Sequence, residues 1–106
     1  MLNLGNLEES VLLLVIILKE NAYGVAIAQE YQKETGKSIS VPAIHTVLRR
    51  LEKKELIKST VGGATNERGG RSKRIYEVTL AGYHAVKSIQ ENRDQLWSKI
   101  PNLSFS

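Results

Sequence analysis

Apolar positions repeat at helical spacing over the first half of the chain, at strand spacing over a short middle stretch, and at helical spacing again toward the end. Leu4, Leu7, Val11, Leu14 and Leu18 recur at intervals of three and four, while Leu12, Leu13, Ile16 and Ile17 fill the other directions. This predicts a first helix that is apolar on nearly every side and needs more than one neighbour to cover it. Asn6 with Glu9 three residues later resembles a capping box, and the helix is expected to end near Asn21. Tyr23, Ile27 and Tyr31 at intervals of four predict a short second helix, closed by Gly36 as a left-handed cap. After the turn KSIS, Ser40 is the expected N-cap of a third helix with Pro42 in its first turn, and Ile44, Val47, Leu48 and Leu51 form one narrow inward stripe. The period then falls to two. LIKSTV (56–61) and RIYEV (74–78) read as the strands of a hairpin whose tip, about a dozen residues long, contains Gly62, Gly63, Gly69 and Gly70. Thr79 is the expected cap of a fourth helix running to about Ile100, where Pro101 helps stop it.

The order helix, short turn, helix, hairpin predicts a mainly α fold with a small β-hairpin (α+β): a winged helix-turn-helix with a long C-terminal helix. The expected division is 1–79 for the winged unit, 80–101 for the long helix and 102–106 for a tail. In that helix Gly82, Val86, Ile89, Arg93, Leu96 and Ile100 alternate spacings of four and three, a coiled-coil-like seam broken only by Arg93. A helix as long as the domain is wide requires a partner for its far half. A second copy of the chain supplies one, so Leu4, Leu7, Val11, Leu14 and Leu18 with Val86, Ile89, Arg93, Leu96, Trp97 and Ile100 are the expected homodimer interface.

Charge sharpens the picture. The net charge is +4 over 106 residues, but residues 37–74 hold ten basic and three acidic side chains, a local +7, and the remainder carries −3. Such a segment points to a polyanion-facing surface, although a solvated face is the alternative for any one cluster. Around the third helix, Pro42, Thr46, Arg49 and Lys53 fall opposite the apolar stripe, with His45 and Arg50 on the flanks. An α-helix fits the major groove of double-stranded DNA, and a basic hairpin beside it reaches phosphates or the minor groove. The expected DNA-binding residues are therefore Lys37, Ser40, Pro42, Ala43, His45, Thr46, Arg49, Arg50 and Lys53, with Arg71, Lys73 and Arg74 from the hairpin; Arg68 adds to its charge against Glu67. Tyr76 is expected to pack inside the hairpin.

Other chemistry is thin. There is no cysteine, so neither a disulfide nor a thiolate metal site can form. His84 has no ligand partner at metal spacing, no nucleophile–base set is discernible, and GGATNERGGRS lacks the GK[ST] of a phosphate-binding loop. No enzyme, metal or cofactor is expected. Val11 to Leu18 is too short to cross a bilayer and follows acidic residues, so neither a membrane span nor a secretory start is read there, and a cytoplasmic location is expected. The contrasting reading of the same pattern is a winged-helix interaction module that docks an acidic partner protein.

From about Leu4 to Ile100 the chain resembles the PadR-type transcriptional regulators, in the short form with a single C-terminal helix. The resemblance rests on LGNLEESVLLLVIIL (4–18), Tyr23-Gly24 with Ile27, VLRRLEKKELI (47–57) and KRIYEVTLAG (73–82). It implies a DNA-binding homodimer, usually a repressor, that releases an operator when a small molecule binds or conditions change. For Trp97 it implies a flat stacking surface for planar apolar compounds between the C-terminal helices; burial as an interface aromatic is the other reading. Two positions depart from the family's habit: His45 stands where Tyr is usual, and Glu55 where Gly is usual. The second departure implies a helix-to-wing junction without the residue that adopts positive φ most easily.

Overall fold

The computed structural model describes residues 4–62 and 73–105. Its elements are α1 (Asn6–Leu18), a 3₁₀ turn (Lys19–Asn21), α2 (Gly24–Thr35), α3 (Val41–Lys53), β1 (Ile57–Val61), β2 (Arg74–Val78) and α4 (Leu80–Ser98). The winged helix-turn-helix order is therefore present as the apolar periods predict. Gly63, Gly69, Gly70, Glu67, Arg68 and Arg71 lie outside the described residues.

Helix α1 starts one residue earlier than its sequence suggests. Gly5 is the N-cap, and its backbone N–H donates to the Glu8 carboxylate at 3.4 Å. Glu8 thus takes the place expected of Glu9, which turns instead toward α4. The helix buries Val11, Leu12, Leu14 and Val15, and leaves Leu13 and Ile17 exposed at 40% and 59%. Val11 and Leu14, expected at a subunit interface, therefore belong to the chain's own core. A helix apolar on all sides carries no local signal for which stripe turns inward.

Helices α2 and α3 form as predicted. Gly36 closes α2 at φ 74°, and its N–H donates to the Gln32 carbonyl at 2.8 Å. Ser40 Oγ accepts from the Ala43 N–H at 3.2 Å, with proline in the first turn where its missing donor costs nothing. Ile44, Val47, Leu48 and Leu51 are buried and meet Leu12, Ile27, Leu56 and Ile57 in one core.

The end of α3 turns the chain into the hairpin. Glu55 takes φ 62°, while Leu56 N–H reaches the Leu51 carbonyl at 3.0 Å and Glu55 N–H the Glu52 carbonyl at 2.9 Å. These paired bonds make a Schellman cap whose left-handed position, normally glycine, is a glutamate. β1 and β2 then pair antiparallel in the register Ile57↔Val78, Ser59↔Tyr76, Val61↔Arg74. The hairpin is pinned to the helices because the Tyr76 N–H donates to the Ala22 carbonyl at 2.8 Å.

Helix α4 is anchored at one end. Thr79 Oγ1 accepts from the Gly82 N–H at 3.1 Å and donates to the Glu55 carbonyl at 2.8 Å, while the Thr79 N–H donates to the Leu56 carbonyl at 3.0 Å. Gly82 lies so near the Leu56 carbonyl that a Cβ would collide with backbone, which explains glycine in a helix's first turn. Beyond Val86 and Ile89 every residue of α4 is exposed, and the helix makes the molecule 63 Å long by 31 and 20 Å.

Candidate nucleic-acid interface

The outward face of α3 and strand β2 share one cleft. Pro42, His45, Thr46, Arg49, Glu52, Arg74 and Tyr76 line a concavity of about 670 Å³. Two elements distant in sequence, α3 and β2, contribute, so the cleft exists only because the Schellman turn folds the hairpin back beside α3. Arg49 and Arg50 are exposed, as are Pro42, Thr46 and Lys53. Thr46 Oγ1 donates to the Pro42 carbonyl at 3.1 Å, which fixes its rotamer with a lone pair still outward.

His45 is only half exposed. A Cβ on Gly24 would come within 2.7 Å of its Nε2, so the imidazole lies against the first turn of α2. That close approach explains the Tyr23-Gly24 pair. Lys73 stands over the Tyr23 ring, with Nζ 4.2 Å from the centroid, a cation–π contact worth about 0.5–1 kcal/mol at an exposed site. Tyr23, Gly24, Val25, His45, Lys73 and Arg74 together line a second hollow of about 340 Å³ beside the first. Lys37, Ser40 and Ala43 occupy the turn and first turn leading into α3, and Lys37 N–H is held by Thr35 Oγ1 at 3.1 Å.

Sequence reasoning missed the polar joint between wing and helix. Ser59 Oγ donates to Glu52 Oε2 at 2.7 Å and accepts from Arg74 Nη1 at 2.8 Å. The period-two pattern of β1 was the available signal, since it puts Ser59 on the face of buried Ile57. Tyr76 is buried at 4% exposure, and burial, with Glu52 nearby, pushes its phenol above the usual range. The phenol therefore stays neutral through physiological pH.

A second missed link lies behind the cleft. Lys54 Nζ meets Glu8 Oε2 at 2.7 Å, and this hydrogen bond is the main reason that the Glu8 carboxyl sits below its ordinary value. Arg93, expected in the subunit seam, reaches Glu9 Oε1 at 3.1 Å and so ties α4 to α1 of its own chain. Of the other seam residues, Val86 is buried and Leu4, Leu18 and Ile89 are half-buried. Leu7, Leu96, Trp97 and Ile100 are exposed, Leu96 and Trp97 at 60% and 75%. Among the described residues no group of His, Asp or Glu could hold a metal ion, and no helix is long and apolar enough to cross a membrane.

A basic helix and wing on one side of a winged helix-turn-helix define a nucleic-acid-binding class. The model of the PadR-like transcriptional regulator family matches residues 12–88, and the chain belongs to that family. Members of the family are transcriptional regulators, not enzymes. An uncharacterized protein of Lysinibacillus sphaericus is 32% identical over 73 residues, 67% of this chain; the chain spans 64% of that relative's length. A PadR-like regulator from Bacillus cereus shares the fold at a TM-score of 0.68 with 24% identity, over 87% of this chain and 84% of that one. A PadR family regulator from Clostridium difficile superposes at 0.63 with 26% identity, covering 85% and 91%.

Proposed function

We propose that the protein is a homodimeric, sequence-specific DNA-binding repressor acting in the cytoplasm, with 1–79 as the DNA-binding unit and 80–101 as the pairing helix. The observation that carries this reading is the convergence of the α3 outer face with Arg74 on one cleft, with Lys73 in the hollow beside it. In this reading α3 lies in the major groove, where Arg49 and Thr46 meet base edges and Arg50 and Lys53 meet phosphates. Arg71, Lys73 and Arg74 grip flanking backbone, and His45 adds a contact at the rim. The exposed apolar residues of α1 and α4 support pairing of two copies about a two-fold axis. That axis requires an inverted-repeat operator with half-sites about one helical turn apart, roughly 34–36 Å.

A planar apolar molecule stacked on Trp97 between paired α4 helices is the proposed effector. Its binding quenches tryptophan fluorescence and releases the operator.

Selection from a random DNA pool, followed by gel shifts at two salt concentrations, tests the function. A recovered palindrome whose affinity falls about 10³-fold between about 50 and 200 mM salt supports six or more phosphate contacts. Equal retention of all fragments, with no palindrome, would instead favour a module that docks an acidic protein.

A further inference from the structure

Ser59 stands between two opposite charges that would otherwise meet. Glu52 projects from the flank of α3, half-buried, and Arg74 begins β2 at the mouth of the cleft. The strand register sets Ser59 opposite Tyr76, so Arg74 is its diagonal neighbour on the same face of the hairpin. The single hydroxyl proton goes to Glu52 at 2.7 Å and a lone pair receives Arg74 Nη1 at 2.8 Å. A guanidinium has five N–H donors, and this arrangement leaves the others available to the cleft.

Direct Arg–carboxylate pairs are commonly bidentate and stronger than a bond to a neutral hydroxyl. Arg74 would therefore close onto Glu52 if the serine were not interposed, and its charge would be spent inside the protein. We propose that Ser59 is a positioning residue: it holds Arg74 one hydroxyl away from Glu52, with the guanidinium presented to a nucleic-acid phosphate beside α3. The role rests on the DNA-binding reading above. Glu52 is then the latent competitor for Arg74, and Arg49, one turn earlier on α3, is another cation that lines the same cleft as that carboxylate.

The test compares Ser59→Ala, Glu52→Gln and the double variant on a random-sequence duplex of about 30 base pairs, across a salt series starting near 50 mM. Ser59→Ala is expected to bind about 5- to 10-fold more weakly and to lose about one unit from the slope of log affinity against log salt, as one phosphate contact disappears. Glu52→Gln binds at least as tightly as the wild type, and the double variant recovers to the level of Glu52→Gln. Binding by Ser59→Ala equal to wild type, or a deficit that persists in the Glu52→Gln background, overturns the proposal. ¹⁵N NMR of the Arg74 guanidinium in DNA-free protein reads the joint independently: its Nη signals shift in Ser59→Ala and average out in the double variant. If those signals behave so but the wild type retains no duplex, the DNA-binding reading fails and the joint stands. If they are identical in all four proteins, the joint itself falls.

Discussion

Helices α3 and α4 are both amphipathic in sequence, yet one chain completes only the first. Every apolar side chain of the α3 stripe is buried, and its outer face carries the cations Arg49 and Lys53 beside the short Thr46. In α4 cover ends at Ile89, while Leu96, Trp97 and Ile100 stand at 60, 75 and 48% exposure with Leu103 and Phe105 beyond them. Charged groups are at ease in water. Apolar groups are not, and at about 25 cal/mol per Å² each large exposed side chain favours association with another apolar surface. The same contrast divides α1, whose Val11 and Leu14 are finished inside the chain while Ile17 stands exposed and Leu13 and Ile16 line an open groove with Tyr83 and Val86. One end of the molecule thus presents cationic side chains and the other uncovered apolar ones.

The sharpest way to break this comparison is to charge the far half of α4. Leu96→Glu with Ile100→Glu is expected to halve the solution mass and to weaken operator binding about 10³-fold, because two linked half-site contacts become independent; sedimentation and gel shifts read both, and an unchanged mass would refute pairing through α4. Gly82→Ala attacks the anchored end instead. The added methyl meets the Leu56 carbonyl and Val78 Cγ2, and urea unfolding should show a loss of about 2–4 kcal/mol. On the DNA side, Arg49→Ala should cost about 1–3 kcal/mol and relax base preference at one position of each half-site, whereas Lys73→Ala should weaken binding evenly across sequences. Equal losses on operator and random DNA for both would erase that division of labour.

Two smaller effects probe the junctions that join the halves. Glu55→Gly relieves a side chain held at φ 62° and should raise stability by up to about 1 kcal/mol, net of glycine's greater freedom when unfolded. Glu8→Gln should cost less than about 1 kcal/mol at neutral pH, since the partner ammonium is partly exposed. The sign follows from a carboxyl whose folded pKa lies below its unfolded 4.5. The stabilisation is full above about pH 4.5 and vanishes as pH falls through the folded value, so wild type and Glu8→Gln should converge in acid-unfolding curves. Curves that stay parallel would show that Lys54 does not read the Glu8 charge.

Much of this was legible beforehand, and unevenly. Caps and turns are local chemistry, so Ser40, Gly36 and Thr79 announced their helices and the β-branched runs announced the strands. The basic face of α3 followed from the angular step of the helix. Glu55 was visible as a departure, and its positive φ shows that the backbone demand persists where the usual glycine does not. The side chains that build the cleft were harder to find: Ser59 and Glu52 look like ordinary strand and helix residues, and His45 reads as an outer contact until Gly24 is brought against it.

The sequence by itself determined the element order, the helix caps and the sign of each surface, because these depend on period, cap chemistry and net charge within a few residues. Only the tertiary structure decided which stripe of the all-apolar α1 turned inward, that Arg93 served its own chain through Glu9, and that Ser59 came between Glu52 and Arg74. Such choices depend on distances between residues far apart in the chain, where several side chains of the same type compete and packing selects among them.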